Sequence, residues 1–155
     1  MEQRQVEPSS HPALSYTDGL AVKLQDTWLL IGRILIGWIY MQSGLRKLMD
    51  MPAFVATMPR RGLPDVLGYV APPVEFIGGL ALILGMGTRY AALLILVFTA
   101  VATFSSHAWW AKPAAQQSMH HTHFWKNVTM MGGLVVLFVT AGGRFSLDRW
   151  LARKS

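Results

Sequence analysis

Two ionisable residues, Arg33 and Glu75, stand inside otherwise apolar stretches of this sequence. A charge at membrane depth is costly unless it is paired, so each marks either a buried ion pair or a place where protons or ligands are handled. Arg33 opens a series, Arg33, Gly37, Tyr40, Gly44 and Lys47, spaced by four, three, four and three. At about 100° per residue these fall within about 40° either side of one line along a helix. That is a polar, small-residue stripe on an oily helix, and it belongs against other helices. The plainer reading is that the glycines only permit close packing while Lys47 extends to lipid headgroups. Arg33 still needs a partner, and Glu75 is the expected one. Their bridge is either structural or holds Glu75 ionised and oriented for proton transfer.

His107 closes one apolar stretch, following Thr99, Thr103 and Ser106, and Asn127 opens another. Both are expected near the same surface as Lys47, so His107, Asn127 and Lys47, with Glu75 deeper, could line one cavity open to that side. The rival reading is interhelical hydrogen bonding, worth on the order of 1 kcal/mol each. His120, His121 and His123 raise copper or zinc, which imidazoles suit. No carboxylate lies near them and their spacing fits no standard site, so they read as a solvated loop and only as weak metal candidates.

Four apolar runs must position these groups: residues 27–45, 66–86, 90–107 and 124–141. Each approaches the ~20 residues that cross ~30 Å of hydrocarbon. None alternates with period two, which argues against a barrel. The expectation is an all-α integral membrane four-helix bundle with antiparallel transmembrane helices. Gly87, Thr88 and Arg89 make a tight hairpin between the second and third runs. Residues 46–65 carry Pro52, Pro59, Gly62 and Pro64, and their centre, 51–58, is apolar enough to lie on the membrane surface. Residues 108–123 read as a connection rich in Trp, His and Gln. Residues 1–25 read as a polar cytoplasmic tail without signal-peptide organisation, disordered and at most ending in a short interfacial helix, with Asp26 and Thr27 as caps for the first span. Residues 26–151 form the membrane domain, and 152–155 a basic end. Lys and Arg divide almost evenly between the two sides; the C-terminal group Arg144, Arg149, Arg153 and Lys154 places both termini in the cytoplasm.

Composition removes several classes. Charged residues make up 14% of the chain, where a soluble domain carries about 25%. There is no cysteine, which excludes disulfides, thiol relays, iron–sulfur clusters and Cys-ligated zinc. The net charge of +6 flanks the apolar runs, where it meets headgroups, so nucleic acid is not an expected partner. No phosphate loop, dinucleotide fingerprint or hydrolase motif is present.

The text from Gly32-Arg33 through Ser43-Gly44-Leu45-Arg46-Lys47-Leu48 resembles the DoxX family of small bacterial and archaeal membrane proteins. The likeness continues through Glu75-Phe76-Ile77-Gly78-Gly79-Leu80, Gly85-Met86-Gly87-Thr88-Arg89 and His107-Ala108-Trp109-Trp110. It ends with His123-Phe124-Trp125-Lys126-Asn127, Gly132-Gly133-Leu134 and Ser146-Leu147-Asp148. The resemblance covers about residues 28 to 151 and implies a four-span helical bundle in a bacterial-type inner membrane. It implies function loosely: the family is named for subunits associated with quinol oxidation or thiosulfate:quinone oxidoreduction, and other members are linked to membrane redox complexes and oxidative stress. No agreed catalytic residues transfer with it, although Arg33, Lys47, Glu75, His107 and Asn127 match its polar positions.

The leading expectation is therefore a component of a membrane redox system that takes a quinone or similar amphiphile between helices. Glu75 and His107 are the catalytic candidates, and Arg33, Tyr40, Lys47 and Asn127 the ligand-binding ones. The chain carries no electron carrier of its own, so it would be an enzyme only as an oxidoreductase subunit acting with a partner. The partners implied are the lipid bilayer, a redox protein and a second copy of the chain in a homo-oligomer. Two other readings stay open: a non-catalytic membrane subunit or assembly factor, and a proton-coupled transporter of small molecules.

Overall fold

A computed structural model of the chain describes residues 12–154. Residues 1–11 of the tail lie outside the described residues. Over the described residues the chain is helical, with no strand. The helices are α1 (Pro12–Lys23), α2 (Gln25–Met49), α3 (Met51–Val55), α4 (Asp65–Leu84), α5 (Thr88–Ser106), α6 (Ala114–Thr140) and α7 (Leu147–Leu151), with single 3-10 turns at Pro59–Arg61 and Trp109–Ala111.

Helix ends follow local chemistry. The second half of the tail is α1 instead of disordered chain. It runs into α2 through backbone bonds from Leu24 to Leu20 and from Trp28 to Leu24. Because α2 continues from α1, Asp26 and Thr27 are not needed as caps, and Asp26 instead accepts from the Arg144 N–H at 2.7 Å. Gly85 (φ +67°) and Gly87 (φ +55°) adopt the left-handed conformation that costs glycine least. They reverse the chain between α4 and α5, so the hairpin sits at 85–87 and Thr88 already belongs to α5. The 108–123 connection is largely helix: α6 starts at Ala114, which puts His120, His121 and His123 on a helix and not in a solvated loop.

Three stretches are long and apolar enough to cross a membrane: Gln25–Met49, Asp65–Leu84 and Thr88–Ala111. The 27-residue α6 has the length, but its first half, with Gln116, Gln117, His120, His121 and Lys126, is polar. Leu35, Trp38, Ile77, Leu94, Val97 and Val136 are among the large apolar side chains left outward. In water this would be an apolar surface far beyond what a monomer tolerates. Against lipid it is the ordinary exterior.

The inward faces of α2 and α4 meet through glycine. A Cβ on Gly37 would come within 2.6 Å of the Gly79 carbonyl oxygen, and one on Gly44 within 2.5 Å of the Phe76 nitrogen and 2.8 Å of the Pro72 oxygen. Close backbone approach is how helices gain attraction where lipid removes the hydrophobic drive. Leu82, Ala92, Ile95 and Leu134 fill the centre.

Gly79→Leu, whose Cβ would meet the backbone of Met41, is expected to lower the stability of the detergent-solubilised protein by about 2 kcal/mol or more. Gly32→Ala, which meets nothing within 4 Å, is expected to leave it unchanged or slightly raised. Thermal unfolding of the two variants checks this; equal midpoints would mean that the glycine contact does not hold α2 to α4.

Candidate functional site

Arg33, Gly37, Tyr40 and Gly44 are the buried residues of α2, and Lys47 is half-buried in line with them. The stripe thus faces the interior along its whole length. Its partners differ from expectation at both ends. Glu75, 5% exposed, pairs with Lys47, whose Nζ lies 2.5 Å from Oε1 and 2.7 Å from Oε2. Arg33 does not reach Glu75. Register is the reason: Gly37 lies against Gly79 and Ile83, while Gly44 lies against Pro72 and Phe76. A step forward on α2 is therefore a step back on α4. Arg33 is carried to Gly85, and Glu75 falls between Gly44 and Lys47.

Tyr40, Lys47, Glu75, His107 and Asn127 line one cavity of about 330 Å³. Arg33 lines no part of it. The Tyr40 hydroxyl is 2.6 Å from the Thr99 hydroxyl. Thr99 spends its own hydrogen on the Ile95 carbonyl at 2.6 Å, so Tyr40 is the donor. Thr103 likewise donates to the Thr99 carbonyl and accepts from Asn127 Nδ2 at 2.9 Å. Asn127 thus makes the interhelical bond expected of it and also borders the cavity.

His107 sits at the rim with its Nδ1 3.1 Å from Nδ1 of His120, so one ring must carry its proton there and the other must not. His107 also lies against His123, with ring centroids 5.1 Å apart. His120 and His123, three apart, share one helix face. His121 points elsewhere, accepting from the Trp125 indole at 3.1 Å and packing on Trp109. The three histidines therefore do not converge, and among the described residues no group of three His, Cys, Asp or Glu is placed to hold a metal.

A second, apolar cleft of about 140 Å³ joins this cavity. It is walled by Met58, Leu63, Leu67, Val70 and Val101 and shares Lys47, Glu75 and Arg61 with the polar cavity. The α3 segment borders it: Phe54 lies against Lys47 and Arg61, at 5.1 and 5.5 Å from its ring centre.

At the opposite end of the bundle Arg33 is fully buried and donates to the Phe145 carbonyl at 2.7 Å. Beside it, Asp148 accepts from Gly87 N at 2.6 Å and from both the N–H and the hydroxyl of Thr88 at 2.9 Å. Asp148 thus caps α5 from 60 residues away, a role that no local spacing signals. Reading the sequence also missed Arg61, Lys112 and Lys126 as lining residues. They pass for topological cations, because only the fold turns them toward one opening.

Burial raises the Asp148 carboxyl, but the Thr88 and Gly87 N–H groups, the Thr88 hydroxyl and the Arg33 charge outweigh it and hold the group below its ordinary range. Its contribution is present above the unfolded-state value and lost as pH falls through the native one. Asp148→Asn is therefore expected to cost about 2 kcal/mol at neutral pH. Thermal unfolding from pH 7 downward should show the gap between variant and parent closing in acid. A gap independent of pH would contradict this account of Asp148.

A DoxX family model matches residues 28–108, and a SURF4 family model matches residues 69–153. Inner membrane protein YqjF of Escherichia coli is 33% identical over 132 residues, covering 85% of this chain and 98% of that protein. Inner membrane protein YphA of the same organism is 30% identical over 123 residues, covering 78% and 88%. CatD of Bacillus subtilis, which carries a provisional oxidoreductase designation, is 32% identical over 65 residues, covering 42% and 48%. No solved structure gives a significant match.

Proposed function

Given that the chain belongs to the DoxX family of small membrane proteins, we propose that it is a four-span antiparallel bundle of the bacterial inner membrane whose cavity takes a quinone or similar amphiphile in partnership with a redox protein. The observation that carries this reading is the Lys47–Glu75 pair, held where a polar cavity meets an apolar cleft. A ligand with a polar head and an oily body fits that junction better than one of uniform polarity. The opposed register of α2 and α4 supports the antiparallel order. The apolar second half of α6, residues 124–140, supports a fourth span.

The donors that would hold a carbonyl oxygen at this site are Lys47, Asn127 and His107. Glu75 and His107 are the groups placed to exchange protons with it. Lys47, and not Arg33, pairs with Glu75 and orients it; Arg33 acts in the structure at the other end. Electrons would have to come from or pass to another protein, since the chain has no carrier. The oxidoreductase designation of CatD agrees with this direction. Proton-coupled transport is less favoured, because a carboxylate bridged through both oxygens by Lys47 is a poor alternating binder.

Extraction of the purified protein is expected to release quinone, and Glu75→Gln and His107→Ala are each expected to weaken quinone binding about tenfold or more. A protein without quinone, whose affinity is indifferent to both variants, would sink this reading; a stable membrane partner found in its place would leave a non-catalytic subunit. Topology is open to a direct test because the chain has no cysteine. A single cysteine at Ala152 is expected to react only from the cytoplasm, and one at Gln116 only from the periplasm. Labelling from the same side would refute four spans.

A further inference from the structure

The charges around the cavity do not balance. Lys47, Arg61, Lys112 and Lys126 line it against one carboxylate, Glu75, and Lys47 already engages both oxygens of that carboxylate. Three cations are therefore left facing one opening with no second acid among the lining residues. Burial, then Lys112 and His123, push His120 below its ordinary value, so at neutral pH it offers hydrogen bonds and no charge.

Interfacial Lys and Arg ordinarily spread toward headgroups. These four instead converge on one concavity, and two of them, Lys47 and Arg61, share the single Phe54 ring. Like charges drawn together without a counter-charge repel, and an anion between them would relieve the repulsion. The apolar cleft opens from the same place, and its walls Leu67, Val70 and Val101 are 38%, 50% and 59% exposed on the outer face. An oily chain could run there into the bilayer.

We infer that the polar end of the ligand is an oxyanion, a carboxylate, sulfate or phosphate, held by Arg61, Lys112 and Lys126 above the Lys47–Glu75 pair, with an apolar tail in the adjoining cleft. This rests on the reading that the cavity takes an amphiphile, and within that reading it selects an acidic head over the uncharged carbonyl of a quinone. No bond is made or broken in the step; it is recognition alone. Arg61 and Lys126 are exposed, so replacing either leaves the packing of the bundle in place.

The test uses the full chain in zwitterionic phosphatidylcholine nanodiscs at pH 8, with labelled dodecanoate, its uncharged methyl ester, and inorganic sulfate as competitor. Dodecanoate is expected to bind saturably and at least tenfold more tightly than the ester. Arg61→Gln and Lys126→Gln are each expected to weaken the acid about fivefold and leave the ester unchanged. Added salt should act on the acid alone. Glu75→Gln is expected to strengthen acid binding by releasing Lys47, the opposite sign to its effect on a quinone. Displacement by sulfate at comparable concentration would support the oxyanion site and place its ligand in water instead of lipid. Equal affinity for acid and ester, or acid binding indifferent to Arg61→Gln and Lys126→Gln, would overturn the inference while the amphiphile reading stood. Binding of neither acid nor ester would overturn the inference, and if extraction also released no quinone the amphiphile reading would fall with it.

Discussion

Gly37, Gly44 and Gly79 set how closely α2 and α4 can approach, and that approach sets the register of every polar group between them. Nothing larger fits at these positions without moving backbone. With the glycines seated, Lys47 comes to Glu75 at one end and Arg33 to Gly85 at the other. The same constraint leaves Gly85 doubly determined. Its backbone is left-handed, and the Arg33 guanidinium occupies the space that a Cβ would need. The cavity is the complement of this tight seam. Helix α6 closes on α2 where Gly133 faces Ile36. Toward its start, Met130, Asn127, Lys126 and His120 replace small residues with larger side chains, three of them polar, and the helices do not close there.

The two ends of the molecule consequently differ in their electrostatics. Around Asp148 an anion meets the N-terminus of α5, where exposed N–H groups carry partial positive charge. Those donors are met by its oxygens. Asp148 also returns its own N–H to the Gly85 carbonyl at 3.0 Å, and Asp26 ties down Arg144. That end is a latch between the start of α2, the α4–α5 turn and the C-terminal segment. At the cavity end the cations outnumber the acids. The first end is latched by these bonds and the second is open around the Lys47–Glu75 pair, although cations outnumber acids at both, Arg144, Arg149 and Arg153 against Asp26 and Asp148 at the first.

Much of the candidate site was legible before any coordinates, for a local reason. A helix repeats every 3.6 residues, so Arg33, Gly37, Tyr40, Gly44 and Lys47 could be placed on one inward face from spacing alone. Apolar run lengths likewise located the long helices, and the residue types pointed to Glu75, His107 and Asn127 as groups that need partners. The departures are of two kinds, long-range pairing and the local state of polar chain. Pairing Arg33 with Glu75 requires their axial register, which residue type alone does not supply, and a small difference in depth shifts a partner by a full turn. The loop at residues 108–123 was inferred from polarity, but a helix that leaves the hydrocarbon can stay helical while its side chains turn polar, as α6 does.

What the sequence determined by itself was therefore the apolar stretches of the four long helices, the inward face of α2 and the residues that cannot be left alone in an apolar medium. What only the tertiary structure decided was who meets whom: Lys47 and Glu75, the Phe145 carbonyl and Arg33 Nη2 with the Asp148 charge nearby, His120 and His107, and the gathering of Arg61, Lys112 and Lys126 at one opening. The division has a physical cause. Periodicity along one helix is a property of neighbouring residues, whereas pairing between helices depends on axial register. Here that register is set by glycine contacts between segments some forty residues apart, Gly37 on Gly79.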